Sequence, residues 1–136
     1  MYIVKQISGE MIIVVTAVGR YNGSGLHRAS GQVATLTESL GSRVYRINDL
    51  THSNITFLEL ISALAYDIQG RAGTVSDTRV VNLTVARDPI QQIGIRVIDL
   101  MLGKRHSPIF LSLHDALNYA RKDIAAHGGV RIPAFN

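Results

Sequence analysis

The alternation of short apolar runs with amphipathic helices constrains the fold of this chain more than any other feature of its sequence. Two apolar runs, Tyr2 to Ile7 and Met11 to Val18, are separated by three residues that include Gly9, which is the spacing of a β-hairpin. Each later strand-like run follows a segment with helical periodicity. Because strands joined by helices run parallel through right-handed crossovers, we predict an α/β fold with a mostly parallel mixed sheet and an N-terminal hairpin.

The predicted order of elements is β-β-α-β-α-β-α-β-α. A chain of 136 residues fits one domain, which we assign to residues 1–127. Residues 128–136 form a short tail that lies on the surface or on a partner subunit, or is disordered. Pro108 places the last strand at an edge of the sheet. After the hairpin, the strands are predicted over Arg43 to Asn48, Arg79 to Ala86 and Ser107 to Leu111, and the helices over Gly25 to Leu40, Phe57 to Gly70, Pro89 to Leu102 and Ser112 to His127.

The helix ends and faces are also predicted from side-chain spacing. Gly41 is a left-handed stop for the first helix, and Asp88 caps the third, with Gln91 completing a capping box. Apolar residues at helical spacing predict the buried stripes. These stripes are Phe57, Ile61, Leu64 and Ile68 in the second helix, and Ile90, Ile93, Val97 and Leu100 in the third.

The composition excludes several classes of protein. The chain has no Cys, so disulfides and Cys-based zinc sites are excluded, and a reducing, cytoplasmic location is expected. Its longest apolar run is far shorter than the roughly 20 residues that span a bilayer, and its N-terminus does not resemble a signal peptide. The net charge of +4 is spread along the chain without a basic cluster, so nucleic-acid binding is not expected.

The spacing of polar residues gives no support for an enzyme. His52 and Ser53 are consecutive and no G-x-S-x-G elbow surrounds the serine, so a hydrolytic triad with Asp49 is not expected. The five histidines lack metal-ligand spacing, and no Walker loop or dinucleotide fingerprint is present. We therefore predict no catalytic residue, metal or cofactor.

The segment from Val44 to Leu64 is the strongest candidate for a functional site. It is predicted to be a short strand, a polar turn and a helix, which places hydroxyls and backbone N–H groups at the positive end of the helix. Thr56 and Glu59 have the spacing of a capping box. Loops at the carboxyl edge of parallel strands lie side by side, so the polar loop is expected beside the loop that follows the next strand. The polar residues of these two loops are Asp49, Thr51, His52, Ser53, Asn54, Arg87 and Asp88.

The element order and this junction resemble the STAS domain of the anti-anti-sigma factors, the SpoIIAA-like family. Members of that family have an acidic-Leu-Ser/Thr step after a strand, which Asp49, Leu50 and Thr51 resemble. A turn of the form Asp-Ser/Thr-Ser/Thr-Gly then opens the second helix, where this chain has Asn54, Ile55, Thr56 and Phe57. Only the second hydroxyl of that turn, Thr56, is retained.

The resemblance implies a non-enzymatic regulator that binds another protein through its second helix and the preceding loop. In the family, the second hydroxyl of the turn is phosphorylated by a kinase that doubles as an anti-sigma factor, and this position corresponds to Thr56. Ser53 and Thr51 are the substitutes if the register differs. If the second helix exposes apolar surface, Phe57, Leu58 and Tyr66 are the predicted interface residues, and a homodimer is left open.

The sequence leaves one alternative function open. The polar loops are also compatible with an α/β module that binds an anion, a nucleotide or a lipid near Asn54, Arg87 and Asp88. A small hydrolase is the third class considered, and it requires an Asp-His-Ser geometry that the spacing does not indicate.

Overall fold

The fold is built on one mixed sheet whose strands follow the chain order β1-β2-β3-β4-β5. The computed structural model describes residues 1–67, 78–101, 103 and 107–126, without the side chains of 64–67. The first two strands are antiparallel and the others parallel. The predicted fold class and element order are confirmed. The elements are β1 Tyr2–Gln6, β2 Ile12–Gly19, α1 Gly23–Leu40, β3 Val44–Ser53, α2 Phe57–Asp67, β4 Val80–Val85, α3 Pro89–Met101, β5 Ile109–Phe110 and α4 Leu113–Ala126.

Local sequence signals determine several of the element ends. Gly9 in the hairpin loop and Gly41 after α1 both have positive φ, a region that favours glycine. The amide of Gly41 donates hydrogen bonds to the carbonyls of Thr37 and Glu38, so Gly41 ends α1 as predicted. Pro108 lies next to the edge strand β5, where its missing N–H breaks no ladder bond.

Helices cover both faces of the sheet. On one face, α4 places Ala116 and Ala120 against strand residues such as Ile47 and Leu83, which are fully buried. The other face is covered by α1, α2 and α3. This two-sided covering explains why Ile12 to Val15 of β2 are all buried instead of alternating.

Two polar contacts attach α4 to the rest of the fold. The Tyr45 hydroxyl of β3 donates a hydrogen bond to the Asp123 carboxylate of α4. Burial and this carboxylate raise the pKa of Tyr45. Arg121 donates to both carboxylate oxygens of Glu10 at 2.9 and 3.0 Å, which lowers the pKa of Glu10.

Strand β3 is longer than the sequence predicts. The prediction ended it at Asn48, whereas the strand continues to Ser53. The extension pairs with β2 across a bulge, so that His52 lies opposite Val18 and Ser53 opposite Gly19. The residues predicted as a polar turn are therefore mostly strand residues, and only residues 54–56 connect β3 to α2.

The prediction of the buried face of α3 is wrong. Ile90, Ile93 and Leu100 were expected to be buried, but they are exposed, and the buried positions are instead Gln91, Gly94 and Asp99. The cause is the close approach of α2: a Cβ atom at Gly94 would lie 2.8 Å from Leu60 Cδ1 and 3.6 Å from Phe57 Cδ2. A side chain at residue 94 would force Leu60 to move, so Gly94 allows this side of α3 to pack against α2, and the apolar stripe lies away from the core.

The cap of α3 is confirmed in part. The Asp88 carboxylate accepts a hydrogen bond of 2.8 Å from the Ile90 amide, as a helix cap does. Gln91 does not complete the predicted capping box, because its side-chain amide donates to the Ile55 carbonyl at 3.1 Å.

The buried residue of α2 also differs from the prediction. Leu60, which was not part of the predicted stripe, is buried in one core cluster with Leu50 and Ile55. Phe57 and Ile61 are only half-buried. The side chains of Leu64 and Tyr66, residue 68, the predicted helix end near Gly70 and the predicted tail lie outside the description. Among the helices of the described ranges, none is long and apolar enough to span a membrane.

Candidate functional site

The start of α2 presents a hydroxyl at the surface. The Thr56 amide donates to Glu59 Oε1 at 3.0 Å, and the Glu59 amide donates to Thr56 Oγ1 at 3.2 Å. This reciprocal pair is the capping box that the sequence predicts. Thr56 is exposed, so its hydroxyl is accessible to an enzyme that modifies it.

The other two candidate hydroxyls are more enclosed. Ser53 Oγ donates to the Leu50 carbonyl at 2.8 Å and accepts from Gln91 Nε2 at 3.3 Å. Thr51 Oγ1 donates to Asp49 Oδ1 at 2.7 Å. Both residues are half-buried, and both hydroxyls hold the local backbone in place. Thr56 is therefore the hydroxyl of this junction with the freest access.

The polar residues of β3 do not converge on one point. Asp49 is buried and accepts hydrogen bonds from the amide and hydroxyl of Thr51, whereas His52 and Asn54 are exposed. Asn54 donates its backbone N–H to the Gly19 carbonyl, which ties the end of β3 to β2. Within the described ranges, no three His, Cys, Asp or Glu side chains gather where they could hold a metal ion.

The loop after β4 lies beside the junction. Gln91 of α3 bonds both the Ser53 hydroxyl and the Ile55 carbonyl, so it joins the two loops directly. The exposed Arg87 donates from Nε to the Leu111 carbonyl at 2.8 Å. Because Asp88 caps α3, both polar side chains of this loop, Arg87 and Asp88, make hydrogen bonds within the fold.

Exposed apolar side chains lie on both α2 and α3, the two helices that meet at Gly94. The helices meet at Gly94, and Ile90 and Val97 lie one turn to either side of it, so the apolar stripe of α3 borders the contact with α2. The five side chains that define this α2–α3 surface are between 53 % and 74 % exposed. They are Leu58, Ile90, Ile93, Leu100 and Met101.

This exposed surface was not predicted from the sequence, because an apolar stripe on a helix is usually buried in the core. Of the predicted interface residues, Leu58 is 74 % exposed, Phe57 is half-buried against Gly94, and the side chain of Tyr66 lies outside the description. The residue in the sequence that could have indicated this packing is Gly94. A glycine inside a helix costs about 1 kcal/mol relative to alanine, so its presence indicates that another element approaches closely there.

Comparison with solved structures identifies the fold as SpoIIAA-like. The chain is similar to an anti-sigma factor antagonist from Mycobacterium paratuberculosis, with 20% identity, a TM-score of 0.58 and coverage of 89% of this chain and 93% of that one. It is also similar to the anti-sigma factor antagonist SpoIIAA in its unphosphorylated form, with 6% identity, a TM-score of 0.62 and coverage of 89% and 98%.

A third similar structure is an uncharacterized protein of the DUF3478 family with a SpoIIAA-like fold from Shewanella loihica. It has 16% identity, a TM-score of 0.53 and coverage of 88% and 92%. No protein-family model matches the sequence, and no curated protein matches it. The similarity therefore shows the fold alone, and the function of this chain has to be inferred from its own residues.

Proposed function

We propose that this chain, which has the SpoIIAA-like fold, is a non-enzymatic, cytoplasmic regulatory module that binds a protein partner of the anti-sigma type. The observation that carries the proposal is the exposed apolar α2–α3 surface beside the accessible hydroxyl of Thr56. The solved structures of similar fold support it, because two of them are anti-sigma factor antagonists.

The α2–α3 surface has the properties of a docking site. It is apolar, and it lies on two helices that pack together at Gly94, while the Gln91 side chain of α3 bonds the Ile55 carbonyl just before α2. A rigid surface loses little conformational freedom when a partner binds. Contiguous exposed apolar residues on a globular domain mark interaction sites more often than chance exposure.

The position of Thr56 suggests how the partner is released. A kinase would transfer a phosphoryl group to Thr56 Oγ1, adding about −1.5 to −2 of charge at the border of the apolar surface. The phosphate oxygens would lie at the N-terminus of α2, where backbone N–H groups favour an anion. The same phosphate would repel the Glu59 carboxylate, which now caps the Thr56 amide at 3.0 Å. Phosphorylation therefore changes both the charge and the local structure of the docking site.

The first test separates the charge at Thr56 from its capping role. Thr56→Asp retains a capping oxygen and adds a negative charge, so it is expected to weaken binding of an anti-sigma kinase by about tenfold or more. Thr56→Ala loses the cap, which costs about 1 kcal/mol of stability, but it is expected to bind within about twofold of the unmodified protein. Isothermal titration calorimetry measures both affinities.

The matched control is Thr35, an exposed threonine on α1. Thr35→Asp adds the same charge away from the α2–α3 surface and is expected to leave the affinity unchanged. Incubation with the kinase and ATP should place phosphate on Thr56 and leave a Thr56→Val variant unmodified, as measured by mass spectrometry. Phosphate on Ser53 or Thr51, or equal affinities for Thr56→Asp and Thr35→Asp, would refute the assignment of the switch to Thr56.

A further inference from the structure

Four polar side chains lie in the middle of the sheet face that α1, α2 and α3 cover. Arg46 of β3 lies opposite Asn82 of β4, and Asn48 lies opposite Thr84. These residues alternate with the buried residues of the other face, and apolar residues precede and follow them on both strands. Polar side chains in such a position are uncommon because burying them costs free energy unless they are hydrogen-bonded. We call these four residues the polar floor.

Hydrogen bonds join three members of the polar floor. Arg46 Nε donates to Asn48 Oδ1 at 2.6 Å, and Asn48 Nδ2 donates to Asn82 Oδ1 at 3.2 Å. Thr84 is only 4 % exposed, and it is one of the residues that line the cavity above this face of the sheet.

A cavity of about 490 Å³ lies above the polar floor. Its size is that of a small-molecule site, which ranges over roughly 300–1,000 Å³. The lining combines apolar side chains with the polar floor, a composition typical of sites for amphipathic small molecules. Arg43 is exposed and lines the cavity, so one end of the cavity reaches the surface. The apolar walls include Val15, Ala17, Leu50, Leu60, Ala63 and Ile98.

We propose that this cavity binds a small amphipathic molecule, a medium-chain carboxylic acid, with its hydrocarbon chain against the apolar walls and its carboxyl oxygens on the polar floor. The Thr84 hydroxyl donates a hydrogen bond to the ligand. Arg46, which is 2 % exposed and carries only donors, adds positive charge beside it. The cavity is separate from the surface loops, because Asn54, Arg87 and Asp88 are not among its lining residues.

The experiment uses decanoic acid as the probe and isothermal titration calorimetry with the full chain. The unmodified protein is expected to bind one molecule saturably. Thr84→Val keeps the shape and removes the hydroxyl, so its affinity should fall about tenfold, as expected for a lost hydrogen bond to a charged group. Ser30→Ala is the matched control, because it also removes the hydroxyl of a buried residue but Ser30 does not line the cavity, so the affinity should not change.

A second variant tests the cavity without removing a polar group. Ala63→Phe places a ring in the space from α2, so decanoic acid binding should be lost while the circular dichroism spectrum and cooperative unfolding are retained. Absence of saturable binding by the unmodified protein would overturn the proposal. So would retained binding by Ala63→Phe together with loss in Ile93→Asp, since the fatty acid would then lie on the exposed α2–α3 surface. If decanoic acid does not bind, the proposed protein-docking function is unaffected. The Thr56 and Ile93 variants that test docking lie outside the cavity.

Discussion

Replacing Ile93 by Asp is expected to weaken binding of the protein partner by about a hundredfold, the effect of removing a central interface residue. Ile93 is 54 % exposed in the middle of the α3 stripe, so the charge would lie in the proposed docking site and remain desolvated in the complex. Because the side chain is outside the core, the free energy of unfolding should stay within about 0.5 kcal/mol of the unmodified protein. Calorimetric titration and urea unfolding measure the two quantities.

The control for this prediction is Ile3, an exposed isoleucine on the edge strand β1. Ile3→Asp introduces the same change at a site remote from α3 and should leave partner binding unchanged. If both variants bind equally well, the α3 stripe is not the docking site. If Ile93→Asp loses stability instead of affinity, then Ile93 packs in the fold and the exposed stripe has a structural role.

Replacing Gly94 by Leu is expected to lower the free energy of unfolding by about 3 kcal/mol, the upper range for an overpacked core position. Even a Cβ atom at residue 94 would lie 2.8 Å from Leu60 Cδ1, and Leu60 is itself a buried residue of α2. The larger side chain must push the two helices apart. Partner affinity should fall as well, since the α2–α3 surface depends on their relative position. Urea unfolding monitored by circular dichroism measures the change.

The same substitution at Gly31 is a control that should change the free energy of unfolding in the opposite direction. Gly31 lies on the exposed side of α1, and a Cβ atom there meets no other atom within 4 Å. Gly31→Leu should therefore stabilise the protein by about 0.5–1 kcal/mol through helix propensity alone. Equal effects at the two glycines would contradict the close contact of α2 with α3.

The hairpin, the helices and their capped ends could be predicted because local interactions determine them. The spacing of Gly9, the stop at Gly41 and the capping box of Thr56 with Glu59 all depend on residues within a few positions of one another. The mixed parallel sheet follows from the alternation of strands and helices. These features required no knowledge of how distant segments pack.

The orientation of α3 could not be predicted because the helix is apolar on more than one side. Ile95 and Ile98 pack into the core while Ile90, Ile93 and Leu100 remain outside, and the periodicity fits either face. The choice between them is made by tertiary contacts: α2 requires Gly94 at the interface, and Gln91 reaches the Ile55 carbonyl. An amphipathic pattern identifies a helix more reliably than it identifies the side that is covered.

The length of β3 depends in the same way on a distant segment. Residues 49–53, Asp-Leu-Thr-His-Ser, have the composition of a turn, yet β2 provides the ladder partner that keeps most of them extended. Tertiary pairing overrides weak strand propensity here. The polar floor was missed for a related reason. The alternation of Arg46 and Asn48 with apolar residues resembles a half-exposed strand, whereas helices cover that face.

Hydrogen exchange on the complex with an anti-sigma partner tests the central claim most directly, because it locates the docking site without any substitution. Partner binding should slow exchange of the amides over 57–61 in α2 and over 90–101 in α3, while the amides of α4 and of the β1 edge exchange at their free rates. Protection confined to α4 or to β1, with α2 and α3 unchanged, would contradict the assignment of the α2–α3 surface as the docking site.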